Sequence, residues 1–108
     1  MATEKLCALA DLPEGAARVF EVGDFRLAAA RSGDAVFVVE DRCSHDDGEL
    51  GEGLVTCSDS AVEIECPRHG ARFDMSSGAA TRMPAVAPIE VFTAKVEGDD
   101  VYVDLPEY

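Results

Sequence analysis

Two short motifs constrain this chain more than any other feature: Cys43-Ser44-His45 and Cys66-Pro67-Arg68-His69. They hold both histidines of the chain and two of its four cysteines. Residues 46–65 separate them, a gap of 20. Thiolate and imidazole are strong ligands for zinc and iron. Two ligands on each of two loops is an economical way to build a four-ligand site. The intervening "LVTCSDSAVEIEC" reads as a hairpin: an apolar run (54–57), a polar turn "CSDSA" (57–61) and an alternating run (61–66). A hairpin returns the chain to its start, so it would bring the two motifs together. The expectation is two ligand loops side by side at the end of a hairpin, against the plainer reading of exposed histidines and ordinary buried cysteines.

The rest of the chain has the punctuation of an all-β protein, with short apolar or alternating runs split by turn residues. "KLCALA" (5–10) precedes the turn-like "DLPEG". "ARVFEV" (17–22) ends at Gly23-Asp24, and "FRLAAAR" (25–31) ends at Ser32-Gly33-Asp34. Gly-Asp pairs between such runs are hairpin signals. A helix over 25–31 is a second reading, because three alanines favour it. "AVFVVE" (35–40) is rich in β-branched residues. From about 41 to 84 the chain is dense in Gly, Asp, Ser, Cys and Pro, and only "LVTC", "AVEIEC" (61–66) and "ARFD" (71–74) suit strands. Strand texture resumes with "IEVFTAKVEG" (89–98), a turn at Asp99-Asp100, and "VYVDL" (101–105). The expectation is one domain over 1–108, with a β framework (about 1–40 and 85–108) around a loop-rich insert (about 41–84). A chain of 108 residues suits one domain, and a core of that size gains from a metal link.

Charge narrows the function classes. There are 22 acidic and 9 basic residues, a net charge of −13. The phosphate backbone of a nucleic acid would repel such a surface, as would an anionic membrane. The expectation is no nucleic-acid and no membrane partner. The charge suits electrostatic steering toward basic protein surfaces, or serves solubility alone. "MATEKLCALADLPEG" has neither a long apolar run nor an Arg-Arg pair, and no segment approaches the ~20 apolar residues of a membrane span. The expected location is the cytoplasm, where cysteines serve as ligands or free thiols more often than as disulfides. On that ground Cys7 reads as a small core residue, Cys57 as a free thiol at a hairpin turn, and no Cys7–Cys57 disulfide is expected.

The grouping of the ligands bears on the metal. Zinc sites more often pair Cys with Cys and His with His along the chain. Here each loop carries one of each. In a Rieske [2Fe–2S] centre two Cys hold one iron and two His the other, so two parallel loops could each give a Cys to the first iron and a His to the second. A structural zinc with two Cys and two His, in a binding module, remains the alternative from another class. No catalytic arrangement stands out. Ser44 has no free base, and "GELGEG" lacks the Lys-Ser/Thr ending of a phosphate loop.

At these residues the sequence resembles the Rieske-type ferredoxins, the small electron carriers of bacterial ring-hydroxylating oxygenase systems. The likeness extends through "IECPRHGARFD", "SGAATRMPAVAPI" and the closing "VEGDDVYVDL". It implies stacked antiparallel β-sheets with a small cluster-binding subdomain near 41–84. It implies one [2Fe–2S] cluster, with Cys43 and Cys66 on the inner iron and His45 and His69 on the outer, electron-accepting iron. It implies a one-electron carrier, not an enzyme in itself, running from a flavoprotein reductase to a terminal non-haem iron oxygenase. A Rieske carrier in another pathway, such as iron–sulfur cluster assembly, is the alternative within the class. The gap between motifs is a few residues longer than usual, and the hairpin turn can absorb that length at little cost.

The resemblance also implies a potential. High-potential Rieske proteins carry a disulfide across the cluster, and here the matching positions are Gly48 and Arg68. They also carry a serine and a tyrosine that donate to sulfur, and here those positions are Ala71 and Phe73, which have no hydroxyl. Asp46, Asp47, Glu49 and Glu52 crowd the first motif and disfavour reduction, with Arg68 and Arg72 opposing. The expected midpoint lies near the low end of the Rieske range, about −150 mV. Gly70 suits a positive φ or a close backbone approach. Met83-Pro84 matches the proline-bearing stretch that covers the cluster in the family. Leu50 and Phe73 are candidate apolar shields or ordinary core residues.

Overall fold

The computed structural model describes residues 2–23, 25–33, 35–41, 53–57, 62–67, 70–83 and 88–105. Eleven strands follow in chain order: β1 (Ala2–Ala8), β2 (Arg18–Val22), β3 (Phe25–Ser32), β4 (Ala35–Glu40), β5 (Val55–Cys57), β6 (Val62–Glu65), β7 (Arg72–Asp74), β8 (Ala80–Arg82), β9 (Val91–Phe92), β10 (Ala94–Glu97) and β11 (Asp100–Leu105). A 3-10 turn (Leu9–Asp11) ends β1 two residues before the sequence suggests. Every strand pairing within the sheets is antiparallel. Among the described residues no helix is long and apolar enough to cross a membrane.

The strands form three sheets, ordered β1-β11-β10, β2-β3-β4-β9 and β5-β6-β7-β8. The second sheet is the middle layer, with a core on each face. Leu27, Ala29 and Val38 join Leu12, Phe92, Val101, Val103 and Leu105 on one side. Ala28, Ala30 and Val39 join Val55, Val62, Ile64, Cys66, Ala71, Phe73, Met75 and Ile89 on the other. Phe25 meets Phe92 edge to face at 5.8 Å in the first core, a favoured aromatic geometry.

This layering explains the alanines of β3. Ala28, Ala29 and Ala30 are all fully buried, because successive strand residues point to opposite faces and both faces are covered. Small side chains let the layers approach. The helical reading of 25–31 fails because this packing overrides alanine's local preference.

The hairpin signals locate most of the turns. Val22 pairs with Phe25 and Ser32 with Ala35, leaving two residues at each connection. The closing turn sits one residue earlier than read from the sequence, at Gly98-Asp99, since Glu97 pairs with Asp100. The run 89–98 is two strands. β9 pairs with β4 in the middle sheet and β10 with β11 in another. Thr93 lies between them, and its carbonyl accepts from the Asp104 N–H at 2.9 Å.

Candidate metal centre

The outer sheet, β5 to β8, positions the second motif. Val55 pairs with Ile64 and Cys57 with Val62, so the expected hairpin forms, with residues 58–61 of its turn outside the described residues. The Glu65 N–H donates to the Leu54 carbonyl at 2.9 Å. The segment that follows the first motif therefore returns beside Glu65 and Cys66.

Cys66 follows β6 and is fully buried in a core whose buried members are all apolar. Its loop is closed at the base by two backbone bonds. The Cys66 N–H donates to the Ala71 carbonyl at 2.6 Å, and the Gly70 N–H donates to the Cys66 carbonyl at 2.9 Å. Positions 68 and 69 fall within this closed span. Gly70 has φ +74°, and a Cβ there would meet no atom within 4 Å. The positive φ is the left-handed backbone that favours glycine.

The other predicted ligands, Cys43, His45 and His69, lie outside the described residues, as do Gly48, Leu50, Arg68 and Pro84. Among the described residues no three His, Cys, Asp or Glu are grouped to hold a metal. What is described fits a sulfur-ligated cluster. A soft thiol sits in an apolar wall, at the mouth of a clamped loop. Ala71 and Phe73 beside it are fully buried and bring no hydroxyl.

The outer face of the same strands is charged. Glu65 pairs with Arg72 in the sheet, and Arg72 with Arg82. The Arg72 Nε donates to Glu65 Oε1 at 2.9 Å, and an Arg82 guanidinium nitrogen lies 3.5 Å from the same oxygen. Arg72 is thus held by a carboxylate, which reduces its opposition to the acidic residues of the first loop. Met83 and Leu54 are the exposed large apolar residues among those described.

The remaining thiols differ. Cys7 and Cys57 are both free. Cys7 is half-buried against the first core. Burial pushes its thiol above the ordinary value, and the Asp11 charge adds to this while Arg18 opposes. Cys57 is exposed at the end of β5.

Sequence reasoning gave no notice of one feature here. Asp41, the last described residue before the first motif, is buried and ion-paired to Arg26 at 2.7 Å. An aspartate in a chain so rich in acids carries no signal of burial.

The comparisons with known proteins agree with this architecture. The Rieske [2Fe-2S] domain matches residues 3–93. The 3-phenylpropionate/cinnamic acid dioxygenase ferredoxin subunit of Shigella flexneri serotype 5b (strain 8401) is 37% identical over 101 residues, covering 94% of this chain and 92% of that protein. The ferredoxin of carbazole 1,9a-dioxygenase from Nocardioides aromaticivorans IC177 superposes with a TM-score of 0.88 at 31% identity, covering 95% and 97% of the two chains. A complex of reduced oxygenase and oxidized ferredoxin in carbazole 1,9a-dioxygenase matches at 36% identity and a TM-score of 0.81, covering 94% and 91%. Full-length similarity to Rieske ferredoxins leaves no room for the zinc-module alternative. The chain belongs to the Rieske [2Fe–2S] domain family, in its small ferredoxin form, and its cofactor is a Rieske-type [2Fe–2S] cluster.

Proposed function

We propose that this chain is the ferredoxin component of a multicomponent ring-hydroxylating dioxygenase, carrying one electron at a time from a flavoprotein reductase to a terminal oxygenase. The observation that carries this reading is identity of 37%, over nearly the whole of both chains, to a dioxygenase ferredoxin subunit. The likeness to a ferredoxin captured with its oxygenase supports the same reading. The carrier works in the cytoplasm.

Cys43, His45, Cys66 and His69 are the proposed ligands, with residues 41–84 as the cluster-binding subdomain and 1–40 with 85–108 as the framework. When bound, the cluster supplies a site that gains and loses a single electron. The protein's part is to hold it and to set its potential. The buried thiol of Cys66 and the closed 66–71 loop give one half of the ligand set a fixed base. Apolar walls at Ala71 and Phe73 withhold donors from sulfur, which favours the oxidised state. The proposed midpoint is accordingly about −150 mV.

The net charge of −13 fits partners with basic docking surfaces. Purified protein should contain two irons and two sulfides per chain and give a Rieske-type reduced-state EPR signal. Reduction by a candidate reductase should slow as ionic strength rises. A colourless protein with one zinc, or a midpoint above zero, would contradict the reading.

A further inference from the structure

We infer that the Arg26–Asp41 ion pair is a positioning device for the first ligand loop, an inference that rests on the ligand assignment just proposed. Asp41 is the one buried charged residue among those described, and its side chain has no exposure. It stands two positions before Cys43. One residue holds it at two points. The Asp41 N–H donates to the Arg26 carbonyl at 2.9 Å, and the Arg26 Nε donates to Asp41 Oδ2 at 2.7 Å. Arg26 is braced in turn by the exposed Glu21, whose Oε1 accepts from a guanidinium nitrogen at 2.8 Å.

The neighbouring residue is tied on its other side. The Glu40 N–H donates to the Glu90 carbonyl, and the Glu90 N–H donates to Glu40 Oε1, both at 3.0 Å. The last β3–β4 pair is Leu27 with Glu40. The Arg26–Asp41 rung lies one step beyond it, where the chain leaves the framework.

Stability alone is a poor reason for such a pair. The Asp41 side chain is wholly desolvated at a cost, while the Arg26 side chain is 43% exposed, so solvent screens the attraction that would offset that cost. What the pair supplies is direction, because a planar guanidinium with fixed N–H vectors accepts few carboxylate placements. At a loop root, an error of angle is carried forward to Cys43 and His45. The second loop has its own clamp, in the Cys66–Ala71 and Gly70–Cys66 bonds. Loss of the Arg26–Asp41 pair should therefore loosen one Cys and one His and spare the others.

The test uses the cluster-loaded protein and three variants. Asp41→Asn removes the charge at nearly constant shape. Arg26→Lys keeps the charge and loses the planar fork. Glu21→Gln removes only the outer brace. The readouts are far-UV circular dichroism, the rate of iron release to a chelator, and the EPR line width of the reduced protein. With dichroism unchanged, Asp41→Asn should release iron roughly tenfold faster or more, the range in which groups that support metal ligands act. Its EPR lines should broaden. Arg26→Lys should fall between it and the parent, and Glu21→Gln near the parent. Parental release rates and line widths in both Asp41→Asn and Arg26→Lys would overturn the inference, even if unfolding midpoints fell. If Asp41→Asn does not fold, Arg26→Lys decides by the same criterion. A parent chain that holds no cluster would instead overturn the ligand assignment itself.

Discussion

Placing hydroxyls at residues 71 and 73 should raise the midpoint potential. Ala71 and Phe73 are both fully buried and share a core with Cys66. The Ala71 carbonyl receives the Cys66 N–H at 2.6 Å, so residue 71 stands directly across the base of the loop from this proposed ligand. Ala71→Ser and Phe73→Tyr each add one oxygen and little else. A hydroxyl that donates to sulfur favours the reduced cluster, because reduction adds negative charge there. A hydrogen bond to a charged acceptor contributes about 1.5–3 kcal/mol in total. The sulfur carries charge in both states, so the difference between them is smaller, about 1 kcal/mol. For one electron a tenfold change in equilibrium is about 1.36 kcal/mol or about 59 mV, which makes the expected rise about 45 mV per variant. An EPR-monitored redox titration measures it, with unfolding followed alongside. A buried hydroxyl that finds no acceptor costs about 1–3 kcal/mol of stability. If both variants lose stability while their potentials stay at the parent value, the hydroxyls do not reach sulfur, and the account of the low potential from these two positions is wrong.

Four further outcomes follow from the geometry. Glu65→Gln should release Arg72 and Arg82 from their shared carboxylate and shift the potential upward at low salt; an unchanged midpoint would show that this charge is screened from the cluster. Gly78→Ala should destabilise by about 3 kcal/mol or more, since φ is +80° and its Cβ would stand 2.1 Å from the Ile89 carbonyl oxygen, whereas Gly98→Ala, at φ +62° with open space, should cost about 1 kcal/mol in the same denaturant titration. The Asp74 carboxyl is held below its ordinary value of 3.8, chiefly by the Ser76 hydroxyl. This stabilises the folded state above that value and fades as pH falls through the lower folded-state pKa, so Ser76→Ala should weaken the loss of stability below about pH 4. Alkylation at pH 8 should modify exposed Cys57 well before Cys7, whose thiol is raised by burial, and peptide mapping would read the order.

Much of the framework was legible because its signals are local. Gly23-Asp24 and Gly33-Asp34 mark two-residue connections by composition alone. The misreadings share one cause, which is contact between sheets. Nothing local to Phe25–Ser32 says that both of its faces will be covered, so the three alanines left a helix open as a second reading beside the strand that forms. Nothing local to 89–98 says that the chain changes sheets at Thr93. β8, at Ala80–Arg82, was not read as a strand because its three residues lie among turn formers. Its place is fixed by pairing with β7, a contact that only the assembled sheet provides.

The metal centre divides along the same line. Ligand chemistry is a property of residue type and spacing, so Cys43, His45, Cys66 and His69 could be proposed from the sequence. The support for those ligands is a property of the fold. The thiol of Cys66 is buried because β6 faces the alanines and Val39 of the middle sheet. Asp41 is buried because β4 ends beside Arg26 of β3. The consequence concerns how the two loops depend on the molecule. The second loop is built within one β6–β7 hairpin and carries its own backbone clamp, while the middle sheet walls in its thiol. The first loop departs from the middle sheet and returns to the outer one, at Leu54 beside Glu65. Its two ends belong to different layers. The relative placement of those layers must therefore enter the geometry of any cluster shared by the two loops, and the Arg26–Asp41 pair at the root of the first loop is where the middle sheet exerts that control.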